Sequence, residues 1–157
     1  VQEKVCALIH SILGAPGDTS KVRSDAAAMR DEISCHKPPA GPLDVKLGPG
    51  GLVDLEFAVH TLQLTSHVGL DPRLELAIGA LLEAGLIDAE ADPDLRVLSR
   101  ILVVLRLVAP GGREPAEQSR QLVALRCGHE HWDSLLAALA LARQRIEERW
   151  RKVRESE

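Results

Sequence analysis

Tyrosine is absent from this 157-residue chain, and its aromatic side chains amount to one Phe and two Trp. The core has to be assembled from Leu, Val, Ile and Ala, a mixture that interdigitating helices use well, so an all-α domain is the first expectation. Cysteine is scarce as well. Cys6, Cys35 and Cys127 are odd in number and unrelated in spacing, and a chain of this length buries roughly 70% of its unfolded surface with no covalent staple. A reducing, cytoplasmic setting is the expectation that follows. No apolar run approaches the ~20 residues of a membrane span, and no basic-then-apolar leader opens the chain, so no membrane partner is expected. An excess of positive charge is also missing: the net charge of -4 comes with mixed signs along the chain. With neither a basic face nor stacking aromatics, nucleic acid is discounted as a partner.

What is present is helical punctuation. Val1 enters a helical pattern directly, with no Met and no capping residue before Val5, Leu8, Ile9 and Ile12, which suggests a piece of a longer protein. Gly14-Ala15-Pro16-Gly17 should end the first helix, and Asp18 or Thr19 should cap a second that runs to about Ser34 on a stripe of Val22, Ala26, Met29 and Ile33. Lys21, Arg23, Arg30, Asp31 and Glu32 surround that stripe and are expected to face water. Residues 36–50 form a loop and short extended segment, and a third helix is expected over roughly 51–67. Asp71-Pro72 reads as an N-cap and first-turn proline for a fourth helix that Gly85 stops. A fifth opens at Asp88 or Asp92-Pro93 and ends before Pro110, a sixth lies between Glu114-Pro115 and Gly128, and a seventh is capped near Asp133. The seventh turns Leu135, Leu136, Leu139, Ile146, Trp150 and Val153 inward and leaves a polar side of Arg and Glu; its charged end, from Arg151, is expected to fray. The sum is one compact bundle of six to seven helices over residues 1–157, with a short extended segment before the third helix.

The most informative run is Leu43 to Phe57. A few alternating residues lead into Gly48-Pro49-Gly50-Gly51, a sharp corner, and the helix beyond carries Asp54 and Glu56 in its first turns. Around that helix, Leu52, Leu55, Val59 and Leu62 make one apolar stripe and Val53, Phe57 and Leu64 another, flanking a polar seam of Glu56, His60 and Gln63. Such a seam has to be paired, hydrated or turned toward a partner. Glu56 and His60, four apart, are close enough to interact. Read on their own, the two acids simply favour the positive end of the helix dipole, at about 0.3 to 1 kcal/mol each. The corner is not a P-loop, and the acids would repel an anion held there.

Lys46, Gly48-Pro49-Gly50-Gly51 and Asp54-Leu55-Glu56-Phe57, with Ala28 to Ile33 upstream and Leu62-Gln63-Leu64 downstream, resemble the helical domain of the bifunctional glutamine synthetase adenylyltransferase/adenylyl-removing enzyme family. The matching residues cover about a quarter of the chain. The resemblance implies a domain that follows a nucleotidyltransferase domain, with that domain, glutamine synthetase and the PII signal protein as partners, in the control of nitrogen assimilation. It implies ATP and Mg2+ for the parent enzyme and none bound by this piece. It also implies that Lys46, Gly50, Gly51, Asp54, Glu56 and His60 line the nucleotide cleft or lock two domains together. His60 is a departure, since the family has Gln at that position. The family's metal platform, a Gly-Ser turn followed by an Asp-x-Asp pair, does not occur in this chain, so the isolated domain is expected to be inactive, with no catalytic residue of its own. The charged end favours the C-terminal, adenylylating half.

Two alternatives stand beside this reading: the helical domain of a uridylyltransferase-like nitrogen sensor, and a protein-interaction bundle with no enzymatic link. Cys127-Gly128-His129-Glu130-His131 has metal-ligand chemistry at no standard spacing, so no metal is expected there. His10, His36 and His67 read as caps or solvent-exposed groups, and Asp88 to Asp92 as a solvated helix start rather than a calcium loop.

Overall fold

The computed structural model describes residues 2–14 and 17–156, and among them the chain forms seven helices and no strand. They are α1 (Gln2–Leu13), α2 (Thr19–His36), α3 (Leu52–Ser66), α4 (Leu74–Glu83), α5 (Ala91–Val108), α6 (Glu117–Arg126) and α7 (Trp132–Glu155). The all-α bundle and its helix number agree with the composition. Val1 and the Ala15-Pro16 part of the first breaker lie outside the described residues.

Local chemistry explains where the helices begin. Asp18 caps α2 by accepting the Lys21 N–H at 3.1 Å, a bond of the kind worth about 1 kcal/mol. Helix α4 starts two residues later than Asp71-Pro72 suggests. Asp71 instead accepts the Arg73 N–H at 2.8 Å and pairs with its guanidinium, so Arg73 becomes the N-cap. At the start of α7 the Ser134 hydroxyl accepts the His131 N–H at 3.3 Å. The segment read as extended before α3 is wound through turns instead. Its cause is Asp44, whose carboxylate accepts the N–H groups of Ala40, Lys46 and Leu47 at 3.0 to 3.1 Å and curls the chain around itself.

The core is aliphatic and centres on α3, α4, α5 and α7, with Leu55, Val59, Ile78, Leu81, Leu98, Ile101, Leu135 and Ile146 sealed from solvent. A second, smaller cluster joins Ala58 of α3 to Trp150 and Val153 of α7. There the Phe57 and Trp150 rings meet tilted at 59° with centroids 5.7 Å apart, an arrangement worth about 0.5 to 1.5 kcal/mol beyond burial. Helix α7 packs along α3 and α5 and also reaches α2 and α6. Its charged end is helical through Glu155, with Trp150 and Val153 anchored and Arg151 paired with Glu148 and Glu155, both at 2.7 Å. No helix among the described residues is long and apolar enough to cross a membrane.

The amphipathic reading of α2 needs correction. Met29 is 57% exposed and Arg30, assigned to water, is 6% exposed. Arg30 stays inside because α3 supplies a carboxylate for it.

Candidate functional site

The glycine corner is built from three directions. The first turn of α3 has no side-chain cap, yet its N–H groups are not idle: Leu52 donates to the Val45 carbonyl at 2.9 Å and Val53 to the Lys46 carbonyl at 3.1 Å. Those carbonyls close over Gly51 so tightly that a Cβ there would stand 2.7 Å from the Lys46 oxygen. Because these donors are taken by the chain itself, the helix start offers no phosphate cradle.

Helix α2 supplies the second support. Arg30 Nε donates to Asp54 Oδ1 at 2.5 Å, and the other Asp54 oxygen accepts the Gly50 N–H at 2.7 Å. Arg30 also donates to the Ser34 hydroxyl and, at 3.4 Å, to the Leu47 carbonyl. Asp54 is therefore a buried counter-ion and a brace for the corner. The third support is α7. Arg143 donates to the carbonyls of Pro42 and Asp44, each at 2.9 Å, while its own carbonyl lies 2.1 Å from where a Gly50 Cβ would be. With φ at 64°, Gly50 occupies both a left-handed conformation and a space with no room for a side chain. Burial works against the charged form of Asp44, but its three backbone donors and Arg143 outweigh that and hold its pKa below the ordinary carboxylate range.

The six residues singled out by the resemblance do not share one cleft. Lys46 is exposed and sits on the rim of a cleft of about 200 Å³ with Leu102, Leu105 and Arg106 of α5. Gly50, Gly51 and Asp54 are buried in the corner. Glu56 is exposed and His60 half-buried, and both line a largely apolar groove of about 450 Å³ between α2 and α3, with Met29, Phe57 and Leu64. The seam itself is partly spent. His60 Nδ1 donates to Gln63 Oε1 at 2.7 Å rather than meeting Glu56, and the buried Gln63 amide donates to the carbonyls of Gly69 and Asp71. Among the described residues Lys46 and Glu56 make no ion pair.

Sequence reasoning missed the arginines. Arg149 of α7 is 6% exposed, with Asp88 oxygens at 2.7 and 2.9 Å and Asp94 at 3.3 Å. Arg145 forks onto the fully buried Asp94 and reaches Glu90 at 3.4 Å. The Arg149 guanidinium holds Asp88 below the usual carboxylate range. Asp88, Glu90 and Asp94 are thus fastened to α7 rather than only solvated. A signal was present: Arg149 falls three residues after Ile146 and four before Val153, inside the apolar stripe.

The same ion pairs bear on magnesium. Asp92-Pro93-Asp94 has the Asp-x-Asp spacing, but Asp94 is consumed by Arg145 and Arg149 and Asp92 by Arg96 at 2.8 Å. These residues do not fit a metal platform. Of the other candidates, Cys127 is a core residue whose thiol is pushed up by burial, and His131 is the N-cap of α7. His67 caps α3 in the left-handed conformation, its ring Nδ1 2.9 Å from the Leu13 carbonyl.

Comparison with known proteins adds a name to this geometry. A family described as GlnD PII-uridylyltransferase matches residues 27–153. A Mesorhizobium japonicum protein is 40% identical over 94 residues, covering 59% of this chain and 10% of the relative. A Xanthomonas campestris pv. campestris protein is 36% identical over 136 residues, 80% of this chain and 14% of the relative. A Caulobacter vibrioides protein is 41% identical over 103 residues, 63% of this chain and 10% of the relative. All three are named bifunctional glutamine synthetase adenylyltransferase/adenylyl-removing enzyme. The chain spans only 10 to 14% of the length of these relatives. No solved structure matches.

Proposed function

This chain belongs to the family described as GlnD PII-uridylyltransferase, and from that premise we propose that it is a non-catalytic helical domain of a bifunctional glutamine synthetase adenylyltransferase/adenylyl-removing enzyme. In the parent it follows a nucleotidyltransferase domain and supports the transfer of AMP from ATP to a tyrosine of glutamine synthetase. ATP and Mg2+ belong to the catalytic domain, glutamine synthetase is the protein substrate, and the PII signal protein is a regulatory partner. The parent works in the cytoplasm. The domain's own share is positioning: it offers a rigid corner, braced by Arg30 and Arg143, from which Lys46 and Glu56 project.

One observation carries this reading. The segment that bears the resemblance is fixed internally at Gly50, Gly51 and Asp54, yet it leaves Lys46 and Glu56 on the surface without internal counter-ions. Both charges are therefore free to meet a neighbouring domain or substrate. The test is adenylyl transfer by the full-length parent carrying Lys46→Ala or Glu56→Ala. We expect activity to fall by at least about tenfold, near 1.4 kcal/mol in the barrier, with the melting temperature unchanged. Wild-type activity in both variants would overturn the assignment. The isolated 157-residue chain, assayed with ATP, Mg2+ and glutamine synthetase, is expected to transfer nothing.

The family description favours a second reading, the helical domain of a uridylyltransferase-like nitrogen sensor. Offering the parent ATP with glutamine synthetase and, separately, UTP with PII protein separates the two.

A further inference from the structure

Helix α5 turns two different faces to its surroundings. Leu95, Leu98, Ile101 and Leu105 are buried in the core, while Arg96, Arg100, Val103 and Leu107 follow one another by four, three and four along the opposite side. Val103 is 59% exposed, and Leu107, at 84%, is the most exposed large apolar side chain among the described residues. Around these two the charge has one sign. From Leu95 to Arg113 the chain carries Arg96, Arg100, Arg106 and Arg113 and no carboxylate, within a molecule whose net charge is -4. Arg96 pairs with Asp92 at 2.8 Å, but among the described residues Arg100, Arg106 and Arg113 have no ion partner. Arg106 also stands on the cleft that Lys46 borders, where the carboxylate of Asp44 is occupied by three backbone N–H groups.

A face of this make selects its occupant. Guanidinium groups around two bare apolar side chains complement a surface that sets carboxylates beside apolar residues of its own. An amphipathic helix lying along α5 has that pattern at the right pitch, since Arg100 to Leu107 spans about 10.5 Å. Nucleic acid fits poorly, because the apolar pair would meet phosphate and α5 has no aromatic side chain on which a base could stack. The patch is also small, well short of the roughly 20 to 30 residues a side of a stable complex between separate proteins. A segment of the same polypeptide does not need that area, because a linked site acts at an effective concentration on the order of millimolar. Contacts between domains of one chain have this mixed polar and apolar character. This chain spans only 10 to 14% of its relatives, so a parent of their length has ample polypeptide to supply the segment.

We propose that the outer face of α5 is a docking surface inside the parent protein, occupied by an acidic amphipathic helix of another of its domains. The carboxylates of that helix pair with Arg100 and Arg106, and its apolar side covers Val103 and Leu107. The inference rests on the reading of this chain as one domain of a longer enzyme, but it uses none of the residues of the glycine corner.

Zero-length carbodiimide coupling in the full-length parent tests it, since lysine couples to a touching carboxylate and arginine does not. With Arg100→Lys and Arg106→Lys introduced together, peptide mass spectrometry should find an amide bond from one of these positions to an Asp or Glu of the same molecule outside the 157 residues. Leu107→Glu in that background should lower the yield at least about fivefold through like-charge repulsion. The same substitution should leave the melting temperature of the isolated chain unchanged, which separates lost docking from lost folding. Coupling only within the 157 residues, only between separate molecules, indifferent to Leu107→Glu, or absent altogether overturns the proposal. Binding of the isolated chain to phosphatidylserine vesicles, abolished by Leu107→Glu, would assign the face to a membrane and overturn it too. If coupling fails while adenylyl transfer still depends on Lys46, the enzyme reading stands and this inference alone falls.

Discussion

Gly50 and Gly85 share nearly the same left-handed backbone, φ 64° and 69°, but only Gly50 has a neighbour where a Cβ would go. Gly85→Ala should therefore cost only the conformational penalty, about 1 kcal/mol, whereas Gly50→Ala has to displace the α7 backbone at Arg143 and should cost roughly 3 kcal/mol or more. Urea midpoints of the two variants check the difference, and equal losses would mean that the corner is not seated on α7. The chain did announce Gly50 as a turn residue. It did not announce the carbonyl pressed against it, because Arg143 is remote in sequence and its helical pattern carries no mark of what it touches. Arg30, Arg143, Arg145 and Arg149 escaped for a related reason: a charge is assigned to water unless a partner is in view, and theirs are remote in sequence, Asp54 on α3, the Pro42 and Asp44 carbonyls before it, and Asp88 and Asp94 around the start of α5.

Among elements, α2 and α3 are joined by an ion pair as well as by packing. Arg30→Met leaves Asp54 buried without its cation and should destabilise by about 3 to 5 kcal/mol, while Arg30→Met combined with Asp54→Leu should recover much of that loss. Chemical denaturation of the three proteins checks it; a double variant as weak as the single would assign the loss to packing instead. Helix number and most helix bodies were legible, because Gly and Pro punctuate the connections and the apolar stripes repeat at helical spacing. The ends were less so. Asp71 spent its carboxylate on Arg73 rather than on a cap at its own position, and the turns before α3 follow from three simultaneous bonds to Asp44, which no propensity encodes.

For the molecule as a whole, depressed carboxylates give an acid limb to stability, Asp44 and Asp88 among them with the partly exposed Asp71 and Glu148. Asp88 is lowered by its Arg149 bond; for Asp44, burial pushes upward but backbone donors and Arg143 prevail. A carboxylate whose folded pKa lies below its unfolded value of about 3.9 stabilises fully above that value and loses the contribution as pH falls through the folded one. The urea midpoint should hold between about pH 5 and 7 and drop below about pH 4, and Asp88→Asn should make that drop shallower. An unchanged acid limb in the variant would mean that the α7 pairing of Asp88 is not linked to folding. The candidate site was legible only as a list of residues. Its division into a rim at Lys46, a buried brace at Asp54 and a groove at Glu56 and His60 follows from how α5, α2 and α7 close around it.

The bond from Arg143 to the Pro42 carbonyl joins positions 101 residues apart. At synthesis rates of about 5 to 20 residues per second, roughly 5 to 20 s separate the emergence of one end from that of the other. Through that interval the nascent glycine corner has no α7 to rest on, so its final shape is a late event on the ribosome, and a chain released before α7 emerges would carry the motif without its form.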